Sequence, residues 1–102
     1  MKNAKKIEII VESVYLSNIL KSFEGLSLPG YTIINGVAGR GAHGIRDAQD
    51  LTDVSANSYI MIICEPDKAE SLIGVIRTKL EKYGGICLVS DINQIIVANI
   101  KN

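Results

Sequence analysis

The stretch YIMIICEPDKAESLIGVIRTKLEKYGGICLV, residues 59–89, contains a complete strand–helix–strand pattern. Its apolar start, Tyr59–Glu65, is rich in β-branched residues and predicts a strand. Pro66 suits the first position of a helix, and acidic residues just after it complement the positive end of the helix dipole. An apolar stripe at helical spacing follows and stops before Gly84 and Gly85. The stripe comprises Ala69, Leu72, Ile73, Ile76, Leu80 and Tyr83. Ile86–Val89 then predicts a fourth strand.

The first half of the chain repeats this pattern. Lys6–Glu12 alternates in polarity and predicts a strand, and Ser13 is a candidate cap for the helix that follows. Apolar residues at helical spacing run from Tyr15 to Phe23, and Gly25 is a natural stop. Tyr31–Val37 predicts the second strand. Near the C-terminus, Ile95–Ile100 predicts a fifth strand or a continuation of the fourth.

This order predicts one α+β domain over residues 1–102, a ferredoxin-like βαββαβ sandwich with an antiparallel sheet and two helices on one face. In that fold the first strand lies between the third and the fourth. Cys64 and Cys87 are then separated by two strand spacings, about 9–10 Å, so we expect reduced thiols.

Two helices cover only one face of such a sheet, yet the third strand is apolar on both faces. Tyr59, Met61 and Ile63 alternate with the apolar residues that face the helices. The residues from Ile95 to Ile100 repeat this two-sided pattern. Because a sheet face open to water is normally polar, we expect another copy of the chain to bury it.

Composition and charge exclude several classes of protein. The chain has 102 residues, and its eleven basic and eleven acidic side chains cancel, which argues against nucleic acid as a partner. No apolar run is long enough to cross a bilayer, and the start does not resemble a signal peptide. We therefore expect a cytoplasmic protein. One histidine and two isolated cysteines make a metal site unexpected.

The segment GVAGRGAHGIRD, residues 36–47, separates the two halves and admits three interpretations. The first interpretation is a plain surface loop. The second is a dinucleotide-binding fingerprint, because Gly39–Gly44 fits G-x-G-x-x-G. The fingerprint lacks its context, because no clear helical stripe follows it. The third interpretation is an anion-binding loop, in which glycines bring backbone N–H groups close to phosphate and Arg40 and Arg46 add charged hydrogen bonds.

Three segments together resemble the PII signal-transduction superfamily (nitrogen regulatory protein PII-like), and most closely its PII-like SbtB branch of bicarbonate-transporter regulators. GYTIIN (30–35) is similar to the entry into the family's T-loop. GRGAHGIRD (39–47) resembles the branch's T-loop base. KLEKYGGICLVSD (79–91) resembles the end of the second helix, the B-loop and the next strand. On this resemblance the T-loop spans about residues 38–58 and the B-loop about 83–86.

The resemblance implies a non-enzymatic regulator: a homotrimer that binds an adenine nucleotide (AMP, ADP, ATP or cAMP) in clefts between subunits. Its T-loop then regulates a target, for which a membrane transporter such as a bicarbonate transporter is the expected partner, and which would bring the protein to the membrane. The implied nucleotide-binding residues are Gly30, Tyr31, Thr32, Gly39, Arg40, Gly41, His43, Arg46, Gly84 and Gly85.

The chain also departs from the family's pattern. Standard members carry two arginines on the last strand, where this sequence has Val97 and Asn99. We therefore expect a mono- or diphosphate to compete well with ATP. No tyrosine lies between Ala38 and Ser58 to serve as a uridylylation site. The cysteine-paired C-terminal hairpin of SbtB has no counterpart, so redox control by that route is not expected.

Two alternatives to the nucleotide-responsive regulator stay open at this point. One is a trimeric structural or ion-tolerance protein resembling CutA, which shares the fold. The other is an enzyme that uses a dinucleotide at Gly39–Gly44.

Overall fold

The structure is a computed structural model that describes residues 1–28, 30–38 and 56–97. Within these ranges its elements follow the predicted order. They are β1 (Lys2–Glu12), a 3₁₀ turn (Ser13–Tyr15), α1 (Leu16–Lys21), β2 (Thr32–Val37), β3 (Asn57–Cys64), α2 (Pro66–Tyr83) and β4 (Ile86–Gln94).

The described strands form one antiparallel sheet in the order β2-β3-β1-β4. The first strand lies between the third and the fourth, as predicted, and Ile7 at its centre pairs with Ile62 on β3 and with Val89 on β4. The α+β class and the antiparallel sheet with two helices are therefore confirmed. This antiparallel arrangement contradicts the doubly wound parallel sheet that a dinucleotide fold requires.

Both helices pack on one face of the sheet and form the core there. Alternate residues of β1 and β3 point into it, as period-2 strands require. Ile19 of α1 and Leu72 of α2 are almost completely buried against them. The cluster contains Ile7, Ile9, Val11, Ile19, Phe23, Ile60, Ile62, Cys64, Ala69, Leu72 and Ile76.

The opposite face of the sheet, here called the open face, has no described helix against it. One apolar row crosses all of its strands, because Ile10 of β1 pairs with Tyr59 and with Ile86, and Tyr59 pairs with Ile34. Ile34 and Ile86 are 53% and 52% exposed, and Leu88 in the next row is 55% exposed. The third strand is thus apolar on both faces, as its sequence predicts.

Two charged residues, Lys6 and Glu8, lie at the centre of the open face. Their side chains form an ion pair at 3.7 Å, and the Tyr59 hydroxyl donates a hydrogen bond of 2.7 Å to Glu8 Oε2. This hydrogen bond raises the pKa of Tyr59 above its usual value, and partial burial and the Glu8 charge raise it further. The charged and hydroxyl groups of these three residues are therefore paired with one another, which lowers the cost of covering them.

Several predicted boundaries were wrong. Ser13 does not cap a helix, because its hydroxyl hydrogen-bonds the Ser58 hydroxyl at 2.7 Å instead. The first helix is shorter than its apolar pattern indicates and ends at Lys21. The Ser22 hydroxyl donates to the Ile19 carbonyl there, and turns carry the chain on to Gly25.

The last strand also differs from its prediction. β4 continues through polar residues to Gln94, because it pairs with the early part of β1 that begins at Lys2. Lys5 and Asp91 form an ion pair across this extension. The predicted strand over Ile95–Ile100 is wrong for Ile95–Val97, which are described without strand pairing. Residues 98–100 lie outside the described residues.

The two cysteines are free, as expected. Cys64 aligns with Lys5 on β1, whereas Cys87 aligns with Ile9. The thiols are therefore separated by about 13 Å along the strands as well as by about 10 Å across them, farther than the predicted 9–10 Å. Burial raises the pKa of both thiols, and nearby Asp67 and Glu65 raise that of Cys64 further.

Gly85, between α2 and β4, occupies a position that only glycine fits. Its φ is +123°, and a Cβ there would lie 2.7 Å from the Ile10 carbonyl oxygen and 3.1 Å from Leu80 Cδ2. Gly84 precedes it with φ +79° and donates its N–H to the Leu80 carbonyl at 2.7 Å. The glycine pair therefore lets α2 end directly against β1.

Replacing Gly85 with alanine is expected to lower the free energy of unfolding by about 1–3 kcal/mol, since both backbone strain and a clash with main chain result. Urea denaturation followed by circular dichroism measures this change. Gly74→Ala is the matched control: Gly74 lies within α2 with nothing near its Cβ position, so alanine there should stabilise by about 0.5–1 kcal/mol. Equal stability of Gly85→Ala and the unmodified protein would contradict the geometry at Gly85.

Candidate functional site

A cavity of about 430 Å³ lies where the chain enters β2. Residues from all four described strands, from the segment before β2 and from the residue after β3 surround it, so the sheet register assembles it from distant parts of the sequence. Its lining comprises Lys2, Ala4, Gly30, Tyr31, Thr32, Met61, Ile63, Cys64, Glu65 and Gln94. Three of these, Gly30, Tyr31 and Thr32, are predicted site residues.

The cavity combines an apolar floor with polar edges. Met61 and Ile63 are half-buried on β3 and form the floor. The Tyr31 ring is 47% exposed and meets the Phe23 ring edge-on, with centroids 6.2 Å apart. Thr32 and Gln94 supply polar atoms at the edges. Such a lining suits a flat, apolar ring system with hydrogen-bonding groups on its rim.

One ion pair defines the charge at this cavity. Lys2 Nζ donates to Glu65 Oε1 at 2.5 Å, joining the start of β1 to the residue before α2. The hydrogen bond and the charge of Lys2 lower the pKa of Glu65 below its usual value. Lys2 therefore favours the ionised form of Glu65, whose carboxylate accepts this hydrogen bond.

Sequence reasoning missed Lys2, Cys64, Glu65 and Gln94 as lining residues. No local motif marks them, since Lys2, the adjacent residues Cys64 and Glu65, and Gln94 lie in three distant parts of the sequence and meet only in the folded sheet. Gln94 of β4 pairs with Lys2 of β1. The mostly polar residues 90–94 have no alternating apolar pattern from which this pairing register could be predicted. The apolar pattern could have located Cys64 at the end of β3, but not the cavity beside it.

The other described members of the predicted site, Gly84 and Gly85, lie at the opposite end of the sheet. Gly85 is next to Ile10 of β1, whereas the cavity is next to Ala4. This corresponds to about 20 Å along β1 at roughly 3.3 Å per residue. Within one chain the structure therefore does not bring Gly84–Gly85 and Gly30–Thr32 together.

The stems of the segment between β2 and β3 lie at the Gly85 end. Val37 and Asn57 pair there, with a bulge at Gly36, whose φ is +73°. The Ser13 N–H donates to the Ala56 carbonyl at 2.6 Å. Bulges redirect a strand as it leaves a sheet. The predicted site residues Gly39, Arg40, Gly41, His43 and Arg46 lie outside the described residues.

A short chain of hydrogen bonds fixes these two stems. Ser58 Oγ is fully buried and donates to Asn35 Oδ1 at 2.9 Å, while its contact with Ser13 Oγ measures 2.7 Å. The bonds connect β2, β3 and the turn after β1. They show why Ser13 and Ser58 are serines, which the sequence pattern alone did not predict.

The described residues carry neither a metal cluster nor a helix that could span a bilayer. No group of three or more His, Cys, Asp or Glu side chains in residues 1–28, 30–38 and 56–97 is placed to hold a metal ion. Neither described helix is both long and apolar enough to cross a membrane.

The sequence matches the family Nitrogen regulatory protein P-II over residues 4–101. A comparison with curated protein sequences finds no significant match. Many solved structures share the fold. CPII of Thiomonas intermedia K12, a structure bound to ADP and bicarbonate, superposes with a TM-score of 0.72 at 26% identity, over 88% of this chain and 86% of that one.

Two further structures show the same fold at lower identity. CPII from the same organism, described as a nitrogen regulatory PII-like protein bound to ADP, AMP and bicarbonate, gives a TM-score of 0.73 at 24% identity, over 88% of this chain and 86% of that one. A DUF3240 family protein from Shewanella baltica OS155 gives 0.69 at 13% identity, over 99% and 100% of the two chains.

The resemblance seen in three short segments thus extends over nearly the whole sequence. The placement within the SbtB branch stays a prediction, because neither the family match nor these structures distinguishes that branch. The family match and these structures do agree on the superfamily. This chain belongs to the nitrogen regulatory protein P-II family and is a PII-like regulatory protein.

Proposed function

We propose that this protein is a non-enzymatic, cytoplasmic regulator that binds an adenine nucleotide in clefts between the subunits of a homotrimer. The observation that carries the proposal is the cavity at Gly30–Thr32, with its apolar floor and polar edges, in a chain of the P-II family. The cavity's volume and lining suit an adenine ring and its ribose. CPII, which resembles this chain, is bound to ADP and bicarbonate in its solved structure.

The separation of the predicted site residues supports a cleft made by two chains. Gly30–Thr32 and Gly84–Gly85 lie at opposite ends of one sheet, too far apart to contact one nucleotide. If neighbouring subunits are offset along the strands, the cavity of one chain meets the glycine pair of the next. The cavity then takes the base, and Gly84–Gly85 take the phosphates together with Gly39, Arg40, Gly41, His43 and Arg46.

The open face supports the proposed trimer. Ile34, Ile86 and Leu88 are each more than half exposed and lie on one continuous apolar surface. Apolar side chains gain about 25 cal/mol for each Å² removed from water, so association through this face is favourable. On this face Glu8 forms an ion pair with Lys6 and accepts a hydrogen bond from Tyr59. These contacts limit the cost of burying their polar atoms.

The proposed regulation uses the segment between β2 and β3 as a T-loop that responds to the bound nucleotide. Its stems at Val37 and Asn57 lie at the same sheet end as Gly84–Gly85, so a ligand held there is next to both. Through this loop the protein would bind or release a target, for which we propose a membrane transporter such as a bicarbonate transporter.

A mono- or diphosphate is proposed to compete well with ATP for this site. Val97, at the position of one strand arginine in standard family members, is uncharged and 76% exposed. With fewer cations to neutralise the charge of a third phosphate, the third phosphate of ATP adds less binding affinity over that of ADP. A purely structural role like that of CutA has no specific observation in its favour.

Isothermal titration should detect ADP or AMP binding to the unmodified protein, with and without bicarbonate. Arg46→Ala and Arg40→Ala should each weaken ADP binding about ten- to 150-fold, because each removes a charged hydrogen bond to phosphate. Arg77→Ala is the matched control, since Arg77 is exposed on α2 away from the cavity and its removal should leave the affinity unchanged.

Tighter binding of NAD than of ADP would favour the dinucleotide enzyme. Absence of binding by ADP, AMP, ATP and cyclic AMP would contradict the proposed function. Unchanged ADP affinity in both arginine variants would remove Arg40 and Arg46 from the site while leaving the regulator itself intact.

Light scattering at micromolar concentration should give three times the monomer mass of 11.1 kDa. Leu88→Lys, which places a charge on the open face, should shift the protein toward the monomer. Val14→Lys is the control: Val14 is 72% exposed but lies on the turn after β1 rather than on the sheet. A monomeric unmodified protein, or a Leu88→Lys variant that stays trimeric, would contradict assembly through this face.

A further inference from the structure

We infer that Tyr15 is a positioning residue that holds the glycine pair Gly84–Gly85 in place for phosphate binding. The inference rests on the proposed nucleotide site. It adds to that site a residue from the other end of the sequence that no motif identifies.

The observation is an aromatic stack between two elements. The rings of Tyr15 and Tyr83 have centroids 4.5 Å apart and an angle of 22° between their planes. Tyr83 is the last residue of α2 and directly precedes the glycine pair. Tyr15 ends the 3₁₀ turn that follows β1. The stack therefore holds in position the last residue of the helix, which directly precedes the glycine pair.

Lys82 adds a cation to this arrangement. Its ammonium lies 5.3 Å from the centroid of the Tyr83 ring, within the range of a cation–π contact. Among the described residues no carboxylate forms an ion pair with it, in contrast to Lys2, Lys5 and Lys6. A ring held by Tyr15 thus also keeps a positive charge next to Gly84.

The glycine pair has other supports besides the stack. Gly84 is bonded to the Leu80 carbonyl, and Gly85 lies against the Ile10 carbonyl and the side chains of Val11 and Leu80, without room for a side chain of its own. The tyrosine stack is separate from these contacts, so it can be removed without breaking them.

The turn that carries Tyr15 also contacts the returning stem of the proposed T-loop. Ser13 donates its N–H to the Ala56 carbonyl at 2.6 Å, and its hydroxyl bonds Ser58. Residues 13–15 thus connect the stem and the glycine pair, which lie on opposite sides of β1. Loss of the stack frees the glycine pair from this connection while the Ser13 bonds stay.

The test compares Tyr15→Ala and Tyr15→Phe with the unmodified protein. Calorimetry with ADP and with adenosine separates phosphate contacts from base contacts. Tyr15→Ala should weaken ADP binding about three- to tenfold, the range expected for an aromatic pair, and leave adenosine binding unchanged. Tyr15→Phe keeps the ring and should restore ADP affinity. Val14→Ala, on the same turn and 72% exposed, is the control.

A second readout needs no ligand. Amide hydrogen exchange at Gly84, Gly85 and Ile86 should accelerate in Tyr15→Ala relative to Tyr15→Phe, while exchange at the centre of β3 stays unchanged. Equal loss of ADP and adenosine affinity, or unchanged exchange at the glycine pair, would overturn the positioning role. Failure of the unmodified protein to bind ADP would instead overturn the proposed function, and the exchange measurement would still decide whether Tyr15 holds the glycines.

Discussion

Two helices cannot cover both faces of a four-stranded sheet. In the described part of this chain, this constraint leaves one face of the sheet buried and the other exposed. Ile7, Ile9 and Ile62 bury one face against α1 and α2. The other face has an apolar row from Ile34 to Ile86, with Tyr59 bonded to Glu8 beside it. A strand that is apolar on both faces is costly to leave half in water. The proposed assembly follows from this surface.

The same sheet separates the two described parts of the proposed nucleotide site. Antiparallel pairing places the entry to β2 at one end, beside Ala4 and Gln94, and the end of α2 at the other, beside Ile10. Within one chain the cavity and the glycine pair are therefore about 20 Å apart. Sharing a site between subunits makes ligand binding sensitive to how the subunits contact one another, which suits a regulator better than a catalyst.

Local periodicity predicted the order of the described elements and the two-sided apolar character of β3. The position of β1 between β3 and β4 followed from the ferredoxin-like fold that this order indicates. The sequence did not predict the role of Ser13, since a serine before a helix resembles a cap whether or not a buried hydroxyl such as Ser58 is nearby. It also missed Lys2, Glu65 and Gln94, which meet only through a register that polar residues do not report. The sequence did not predict the Tyr15–Tyr83 stack for a related reason. Each tyrosine fits the apolar stripe of a predicted helix, and no local pattern shows that the two side chains meet.

The most direct test of the central claim, a nucleotide site shared between two chains, is complementation in mixed assemblies. Thr32→Arg fills the cavity, and Lys82→Glu places a negative charge beside the glycine pair, so each variant alone should fail to bind ADP. Assemblies formed from a mixture of the two variants contain interfaces with an unmodified cavity from one chain and an unmodified glycine pair from its neighbour. Calorimetry on co-purified mixed assemblies should recover ADP binding at a fraction of the sites, with the affinity of the unmodified protein. Mixed assemblies that bind no more ADP than either variant alone would contradict a shared site.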